Sequence, residues 1–384
     1  MDDNIQHRQQ HRQQQQPTLH THTKTSIGRF YETKQKHKKM NLKIGTPEPP
    51  VDVTPNLVSP RGAKLAIRIW NPPQPPKALL VVVHGGGWHC GYFSNLGEEL
   101  ATNHDILVVG YDQPGCGYSE KEPTAPEGEF GIVHFDSFDD LVSEIYNVIE
   151  YSTKYLLSPN DSIGKDDFPI FLLGESFGGV QVLRALLDAP TKMKRFVDQQ
   201  HYKIRGVILL GGMISIKEEF LPPKIVIQIL VWLSTCFPRT LMPATDFSQT
   251  YNEAFGDVRW ATISRSDSMV CINPRPTIQM IKEILCQGDI VVNRIHEISS
   301  SAANTSSDTS SKTNAKILAI HAIEDCRTDA SAVEALCTTI GIEQAEFVPI
   351  YGTTGHQLLQ DQPDITIKVI TKISQWIDTQ KTTK

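Results

Sequence analysis

A chain of 384 residues, of which 39% are hydrophobic, can hold one large domain or two smaller ones. Its formal charge of −6, with no long basic patch in the part expected to fold, excludes nucleic acid as an expected partner. The seven cysteines are irregularly spaced without a C-x-x-C pair. The sequence therefore indicates neither a disulfide framework nor a zinc site, and reduced thiols in the cytoplasm are expected.

Residues 1–50 are predicted to form a disordered tail, because Gln, His, Lys and Thr dominate it and large apolar residues are rare. Met40, near the end of this tail, is a candidate alternative start. The tail lacks the apolar core of a secretory signal, and the longest apolar run of the chain, 225–233, is too short to span a bilayer. Folding is therefore expected to begin near residue 51.

Residues 51–214 are predicted to form the first part of the core, in which strands alternate with helices. The first strand alternates apolar and polar residues, whereas later strands are unbroken apolar runs of the kind found in central parallel strands. An amphipathic helix is expected after Ser137. This alternation predicts the α/β class, with a mostly parallel sheet and helices on both faces. The predicted strands are 64–70, 78–83, 106–111 and 204–210.

Residues 215–298 depart from this pattern. Prolines separate apolar helical pieces there and no clear strand is present, which predicts an inserted helical cap over the carboxyl ends of the strands, where α/β sheets bind ligands. Residues 299–314, rich in Ser, Thr and Asn, are predicted to be a flexible loop. The second part of the core is expected in residues 315–384, with strands at 316–320 and 345–350 and a closing helix.

The stretch Phe168–Val180 carries a chemical motif. A strand pattern runs into Gly174-Glu175-Ser176-Phe177-Gly178 and then into a helical pattern. Strand, G-x-S-x-G and helix predict a nucleophile elbow, whose tight turn presents Ser176 and leaves no room for side chains at the two glycines. Roughly one chain in ten of this length would contain the pentapeptide by accident, given the abundance of Gly and Ser. Ser176 as nucleophile therefore depends on its partners.

A serine hydroxyl needs an adjacent base, and the base needs an orienting group. After this type of elbow the acid precedes the histidine along the chain. Asp325 follows the predicted strand 316–320, and His356 follows the strand 345–350, so both are expected at the strand ends near Ser176. The alternatives are a helix N-cap or a solvated loop acid for Asp325, and a surface loop histidine for His356.

An oxyanion hole requires two backbone amides near the nucleophile. The N–H of Phe177 is one candidate. Gly86 is the first choice for the other and Gly87 the second, because three consecutive glycines let the backbone approach a substrate closely. His84 is expected to brace this loop rather than to take part in the chemistry.

Three residues beside these motifs are candidates for substrate binding, namely Gly87, Trp88 and Glu175. Trp88 could equally be an ordinary packing residue. Cys116 and Cys326 lie near predicted strand ends and are expected to be bystanders, because the serine is better placed. No metal ligands cluster and no phosphate-binding loop is present, so neither a metal nor a cofactor is expected.

Together these motifs resemble the monoacylglycerol lipase-like α/β-hydrolases, also described as serine aminopeptidase S33-type hydrolases, and especially the plant monoacylglycerol lipase and caffeoylshikimate esterase group. The resemblance implies the α/β-hydrolase fold, with Ser176 as nucleophile, Asp325 as orienting acid and His356 as general base. It implies Gly86 and Phe177 as oxyanion donors. It covers about residues 60–378 and is carried by His84-Gly85, Asp112–Ser119, Ser137–Asp140, Gly174–Gly179, Leu221–Pro238, Asp325–Asp329 and Gly355-His356.

The chain departs from the family at a few positions. The family usually has His where Cys116 stands and Gly where Ala322 stands, and three glycines followed by Trp88 are closer to the loop of other esterases. None of these differences removes a catalytic atom. They leave the acyl and alcohol specificity open.

The resemblance implies a serine hydrolase that cleaves carboxylic esters of lipid-like substrates, such as monoacylglycerols or lysophospholipids. A phenolic-ester esterase, an acyltransferase or an S33-type aminopeptidase would use the same triad, and a non-catalytic binding protein is the alternative outside enzymes. The cap is expected to guide an acyl chain and to contact a membrane peripherally, although at least half of its apolar residues are expected to pack on the sheet. These residues are Ile225, Val226, Ile229, Leu230, Val231 and Trp232.

Overall fold

The structure is a computed structural model. It describes residues 40–50, 57–127, 132–157, 168–192, 202–217, 221–243, 251–271, 275–298 and 315–381. Most of the predicted tail over residues 1–50 lies outside the described residues, as does the whole predicted loop over 299–314.

Seven strands of the described chain form one sheet, in which every neighbouring pair is parallel except the first strand and its neighbour. The strands are β1 Ile67–Trp70, β2 Ala78–Val83, β3 Ile106–Tyr111, β5 Phe168–Glu175, β6 Tyr202–Leu210, β8 Lys316–Ala322 and β9 Ala345–Ile350. Their spatial order is β1-β3-β2-β5-β6-β8-β9. The observed first strand is shorter than the predicted one, because only the second half of the predicted strand pairs with β3 and Lys64 forms an isolated bridge with Val58.

Helices cover both faces of this sheet, as the unbroken apolar strands require. Alternate residues of β2 point to opposite faces, so Leu79 and Val81 join one hydrophobic cluster and Leu80 and Val82 join the other. The helices of the core are α1 Ser94–His104, α2 Phe138–Tyr151, α3 Phe177–Lys192, α7 Ala330–Ile340 and α8 Pro363–Lys381. The first cluster includes residues of α2 and α3, and the second includes residues of α1 and α8.

Where the structure describes the segment between β6 and β8, it contains three α-helices, α4 Lys224–Cys236, α5 Val258–Ser266 and α6 Ile278–Arg294. It also contains a strand that the sequence did not predict. Arg275–Pro276 (β7) pairs in parallel with Ile132–Val133 (β4), a two-residue pairing too short to leave a periodic signal.

The expectation that at least half of the apolar residues of α4 pack on the sheet is wrong. Ser234 is the one buried residue of this helix, and Ile225 and Trp232 are 62% and 63% exposed. The helix packs against α6. Within the described part of the chain, no helix has both the length and the apolar character that crossing a bilayer would require.

Candidate active site

Ser176 lies in the turn between β5 and α3, in a backbone conformation that few side chains adopt. Its φ is +51°, and its side chain is partly exposed. A Cβ on Gly174 would come within 2.2 Å of the carbonyl oxygen of Gly178, and a Cβ on Gly178 within 2.3 Å of that of Val83. The two glycines of the G-x-S-x-G motif are therefore required by backbone contacts, and the strain of the turn is concentrated on Ser176.

Asp325 and His356 are brought together as the sequence predicted. His356 Nδ1 is 2.8 Å from Asp325 Oδ2. The other oxygen of Asp325 accepts from the backbone N–H groups of Arg327 at 2.7 Å and Thr328 at 3.1 Å. Oδ2 also accepts from the Thr328 hydroxyl at 3.1 Å and lies 3.3 Å from His321 Nε2. The carboxylate is thus fixed from several directions.

Asp325 and His356 shift each other's pKa values. Burial alone would raise the pKa of Asp325, but the charges and hydrogen bonds of His356 and His321 hold that pKa well below its ordinary value. Burial lowers the pKa of His356, whereas the charge and hydrogen bond of Asp325 raise it, and the net result is a raised pKa. Asp325 is therefore ionised throughout the neutral range and supports a protonated His356.

The end of β6 brings His356 close to the turn that carries Ser176. The N–H of Ser176 donates to the carbonyl of Leu210 at 3.1 Å. The imidazole of His356 lies against the next residue, Gly211, where a Cβ would be 3.4 Å from both Cε1 and Nδ1. Gly211 has a φ of +53°, which suits glycine. Ser176, Asp325 and His356 thus follow the carboxyl ends of β5, β8 and β9, and the end of β6 contacts both the turn of Ser176 and the imidazole of His356.

The glycine loop after β2 lies beside the nucleophile. A Cβ on Gly85 would come within 3.0 Å of the Cβ of Ser176, so a side chain at this position would force the loop or the turn of Ser176 to shift. Gly86 is exposed, and Gly87 has a φ of +72°. Gly86, Gly87 and Phe177 line one cavity, which is the arrangement expected of oxyanion donors. Their role in binding an oxyanion stays a prediction.

His84 braces this loop, as the sequence predicted. Its Nδ1 lies 2.7 Å from the carbonyl oxygen of Gly85, and its Nε2 accepts from the backbone N–H of Gln113 at 2.9 Å. Burial lowers the pKa of His84 to about 4, so the ring is neutral. The side-chain amide of Gln113 donates to the carbonyl of His84 at 2.7 Å and accepts from Gln181 of α3 at 3.0 Å. This buried network joins the glycine loop to the helix that follows the nucleophile.

The cavity beside these groups is narrow and mostly apolar, with room for about one water molecule, about 10 Å³. Cys116, predicted to be a bystander, lines it as a buried thiol whose pKa burial raises to about 12. The remaining lining residues are Gln113, Pro114, Val133, His134, Phe135, Leu141 and Met280.

Two of the residues predicted to bind substrate lie away from this cavity. Trp88 is 4% exposed and stacks on Tyr92 with ring centroids 4.1 Å apart, within an aromatic cluster that includes Phe255. Glu175 is 1% exposed and faces the side-chain amide of Gln357. The packing alternative for Trp88 accounts for its position, and Glu175 is buried against Gln357 rather than lining the cavity.

Sequence reasoning missed the supporting residues His321, Gln113 and Gln357. His321 lies four residues before Asp325 at the end of β8, and that spacing after a strand was the available signal. The contacts of Gln113 and Gln357 join segments far apart in the chain, so no local pattern could have revealed them. Among the residues that the structure describes, no group of three or more His, Cys, Asp or Glu side chains is arranged to hold a metal ion.

Known proteins resemble the chain along most of its length. A sequence profile of the family described as serine aminopeptidase, S33 matches residues 74–363. The chain is 25% identical to the monoglyceride lipase of Rattus norvegicus over 331 residues, which are 85% of this chain and 91% of the rat protein. It is also 25% identical to the monoglyceride lipase of Homo sapiens over 337 residues, 87% of this chain and 93% of the human protein.

Solved structures share the fold. A soluble variant of monoglyceride lipase from Saccharomyces cerevisiae, solved with a substrate analogue, matches with a TM-score of 0.63 and 19% identity, covering 89% of this chain and 100% of the yeast chain. The monoacylglycerol lipase of Paleococcus ferrophilus matches with a TM-score of 0.59 and 17% identity, covering 82% and 99%.

Proposed function

The chain belongs to the serine aminopeptidase S33 family and is a carboxylic ester hydrolase with the α/β-hydrolase fold, and on this premise we propose that it cleaves esters of lipid-like substrates through an acyl-enzyme. Monoacylglycerols and lysophospholipids are the proposed substrate class. The observation that carries the mechanism is Ser176, held at a φ of +51° beside a histidine that bonds a buried carboxylate at 2.8 Å.

In the proposed acylation step, the Ser176 hydroxyl attacks the ester carbonyl while His356 Nε2 takes its proton. Asp325 holds Nδ1–H and stabilises the imidazolium. The amides of Gly86 and Phe177 bind the oxyanion of the tetrahedral intermediate. When this intermediate collapses, His356 returns the proton to the departing alcohol, and Ser176 remains esterified.

Deacylation follows the same steps, with a water molecule as the nucleophile. His356 takes a proton from a water molecule as its oxygen attacks the acyl carbonyl, and then returns that proton to Ser176 as the fatty acid leaves. The dipole of α3, whose N-terminus begins at Phe177, favours the negative charge that develops in both steps.

The test is a comparison of the wild-type protein with Ser176→Ala. A fluorophosphonate probe should label wild-type protein on one serine and should not label Ser176→Ala. Ester hydrolysis by the variant should fall by at least about 10³-fold. Labelling that persists in Ser176→Ala would rule out this nucleophile.

The choice of substrate within the ester class rests on the apolar cavity and the similarity to monoglyceride lipases. A phenolic-ester esterase, an acyltransferase or an aminopeptidase with the same triad is the alternative. Hydrolysis of glycerol esters, lysophospholipids, phenolic esters and aminoacyl amides, each measured against Ser176→Ala, separates these activities. Preference for a phenolic ester or an amide would contradict the proposed lipid-like substrate.

We propose that substrate enters by displacement of the helices between β6 and β8. The cavity beside Gly86 has space for about one water molecule, far less than an acyl chain requires. Met280 of α6 and His134 of the segment before α2 line this cavity, so a shift of these elements would enlarge it. The exposed apolar residues of α4 are proposed to bind the surface of a membrane or micelle and deliver substrate there.

We propose a cytoplasmic location with peripheral binding to membranes. The proposal is supported by the cysteines, none of which forms a disulfide in the described part of the chain. Fractionation of cells that express the full chain should find it in both the soluble and the membrane fraction, and high salt or alkaline carbonate should release the bound part.

A further inference from the structure

The carboxyl group of Glu175 directly precedes the proposed nucleophile and takes no part in the steps above. Glu175 ends β5 and is 1% exposed. We assign the side-chain amide of Gln357 in the orientation that turns its nitrogen towards this carboxyl. In the other orientation the amide oxygen of Gln357, a hydrogen-bond acceptor, would face the carboxyl oxygens of Glu175, which are also acceptors. In the assigned orientation Nε2 donates to Oε1 at 2.8 Å and to Oε2 at 3.1 Å.

The hydrogen bonds between Gln357 and Glu175 connect the segment that carries the base to the segment that carries the nucleophile. Gln357 directly follows His356, so its side chain ties the loop that carries the base to the strand that ends beside Ser176. The backbone N–H of Gln357 also donates to the carbonyl of Ala254 at 2.9 Å. Hydrogen bonds between such buried groups are stronger than they would be in water, so the loop has little freedom to move.

Glu175 and His356 also interact through their charges. Burial raises the pKa of Glu175 to about 7, even though the charge of His356 lowers it. The groups that act on His356 are Asp325 and Glu175, whose charges raise its pKa, and Arg327, whose charge lowers it. His321 lies on the far side of Asp325, 3.3 Å from Oδ2. The imidazole of His356 therefore lies in the field of two carboxyl groups.

We propose that Glu175 is a positioning residue for His356: through Gln357 it fixes the loop that carries the base, and its charge supports the imidazolium formed when His356 takes the Ser176 proton. The proposal rests on the proposed function, because it assumes that His356 is the general base. It replaces the expectation that Glu175 binds substrate, since the carboxyl is buried, is bonded to Gln357 and does not line the cavity.

The first test is Glu175→Gln, which keeps the size of the side chain and removes its charge. We expect kcat for a short soluble ester to fall about 10-fold while KM changes less than about twofold, because the ground state is bound equally well. The acidic limb of the kcat/KM profile should move to lower pH, since His356 loses a negative neighbour. A purely structural role would reduce the amount of folded enzyme without moving this limb.

The second test is Gln357→Leu, which removes the tether and leaves the carboxyl. It should also lower kcat, and the double variant should lose less activity than the two single variants combined, because both substitutions weaken the same contact. Glu144→Gln is the matched control, since Glu144 is another buried carboxyl, on α2, and it should keep the wild-type pH profile. Activities are normalised to the sites titrated with fluorophosphonate.

The outcomes separate the two proposals. If Ser176→Ala still hydrolyses ester, the proposed function fails. If Ser176→Ala is inactive but Glu175→Gln keeps the wild-type kcat and acidic limb, the function stands and the positioning role of Glu175 is overturned. If Glu175→Gln yields no folded protein, an unchanged kcat in Gln357→Leu overturns the proposal by itself.

Discussion

At the scale of single residues, the site depends on a carboxylate that burial alone would neutralise. Asp325 is 1% exposed, a condition that favours the protonated acid. The charges and hydrogen bonds of His356 and His321 offset this, so the pKa of Asp325 lies well below its ordinary value. Two backbone N–H groups and the Thr328 hydroxyl also donate to the carboxylate. The same carboxylate raises the pKa of His356, so the acid and the base stabilise each other's charged forms.

Asp325→Asn should therefore reduce catalysis severely while the fold persists. Without the carboxylate, Nδ1–H loses its acceptor and the imidazolium loses its counter-charge, so kcat should fall on the order of 10³- to 10⁴-fold. The pKa of His356 should fall too, so the residual activity should extend to lower pH than in the wild type. A pH series of kcat/KM with a soluble ester measures both effects.

Asp329→Asn provides the control, because Asp329 is a nearby acid that caps α7 through the N–H of Ser331. Asparagine caps a helix as well as aspartate does, so this variant should keep its activity and its stability. Comparable losses in both variants would mean that Asp325 contributes only structure.

The pH dependence of stability gives a second check on Asp325. Because folding lowers the pKa of Asp325, its contribution to the free energy of unfolding is complete above the pKa that it has in the unfolded protein. That contribution is lost as the pH falls through the lower pKa that it has in the folded protein.

The sequence could predict the positions of the proposed reacting residues but not the side chains that support them. Ser176, Asp325 and His356 stand at strand ends in an order that the elbow implies, and this order can be read from apolar runs alone. Gln357 and Gln113 form side-chain contacts across long stretches of chain, and their neighbours exist only after folding. Trp88 shows the same limit, because no local pattern distinguishes a cavity wall from an aromatic cluster.

At the scale of elements, the elbow is defined by contacts between backbones. β5, the turn and α3 approach β2 so closely that a Cβ on Gly178 would lie 2.3 Å from the carbonyl oxygen of Val83 and 3.0 Å from that of His84. These are backbone atoms of a central strand and of the glycine loop, and they cannot rotate away as a flexible side chain could. The position of the nucleophile is thus coupled to the position of the proposed oxyanion loop.

Gly178→Ala should accordingly damage both stability and activity. The added methyl group must push α3 away from β2, at a cost of about 3 kcal/mol in the free energy of unfolding. Chemical denaturation measures that loss, and fluorophosphonate labelling measures the displacement of Ser176. Gly45→Ala is the control, because Gly45 is exposed and a Cβ there would meet nothing within 4 Å. Equal stability of the two variants would contradict this account of the elbow.

Most elements could be predicted because burial leaves a clear pattern. Central strands such as β2 and β3 are apolar throughout, since helices cover both of their faces. β4 and β7 have two residues each and no periodicity, so their pairing could not be foreseen. The apolar pattern of α4 predicts that at least half of its apolar residues pack on the sheet, but most of them are exposed, because hydrophobic sequence alone does not determine which surface covers a helix.

At the scale of the whole molecule, the predicted α/β-hydrolase fold and the resemblance to monoacylglycerol lipase-like hydrolases are confirmed. One consequence of the fold concerns the outer surface. Ile225, Ile229, Trp232 and Phe237 are between 49% and 63% exposed, and they lie on or directly after a single helix whose one charged residue is Lys224. A contiguous exposed apolar surface of this kind is unusual in a protein that stays in water, and it often marks a binding surface.

Replacing Ile225 and Trp232 together by Ser should therefore weaken binding to lipid vesicles while leaving the chemistry intact. Burial of these two side chains in an interface contributes about 3 kcal/mol, so the fraction bound in a flotation assay should fall at least about 10-fold. Hydrolysis of a lipid ester presented in vesicles should fall with it, whereas kcat/KM for a short soluble ester should stay within about twofold. Ile342→Ser is the matched control, because Ile342 is 95% exposed but follows α7, outside α4. Vesicle binding that survives the double substitution, or falls equally in the control, would show that α4 is not the surface that meets lipid.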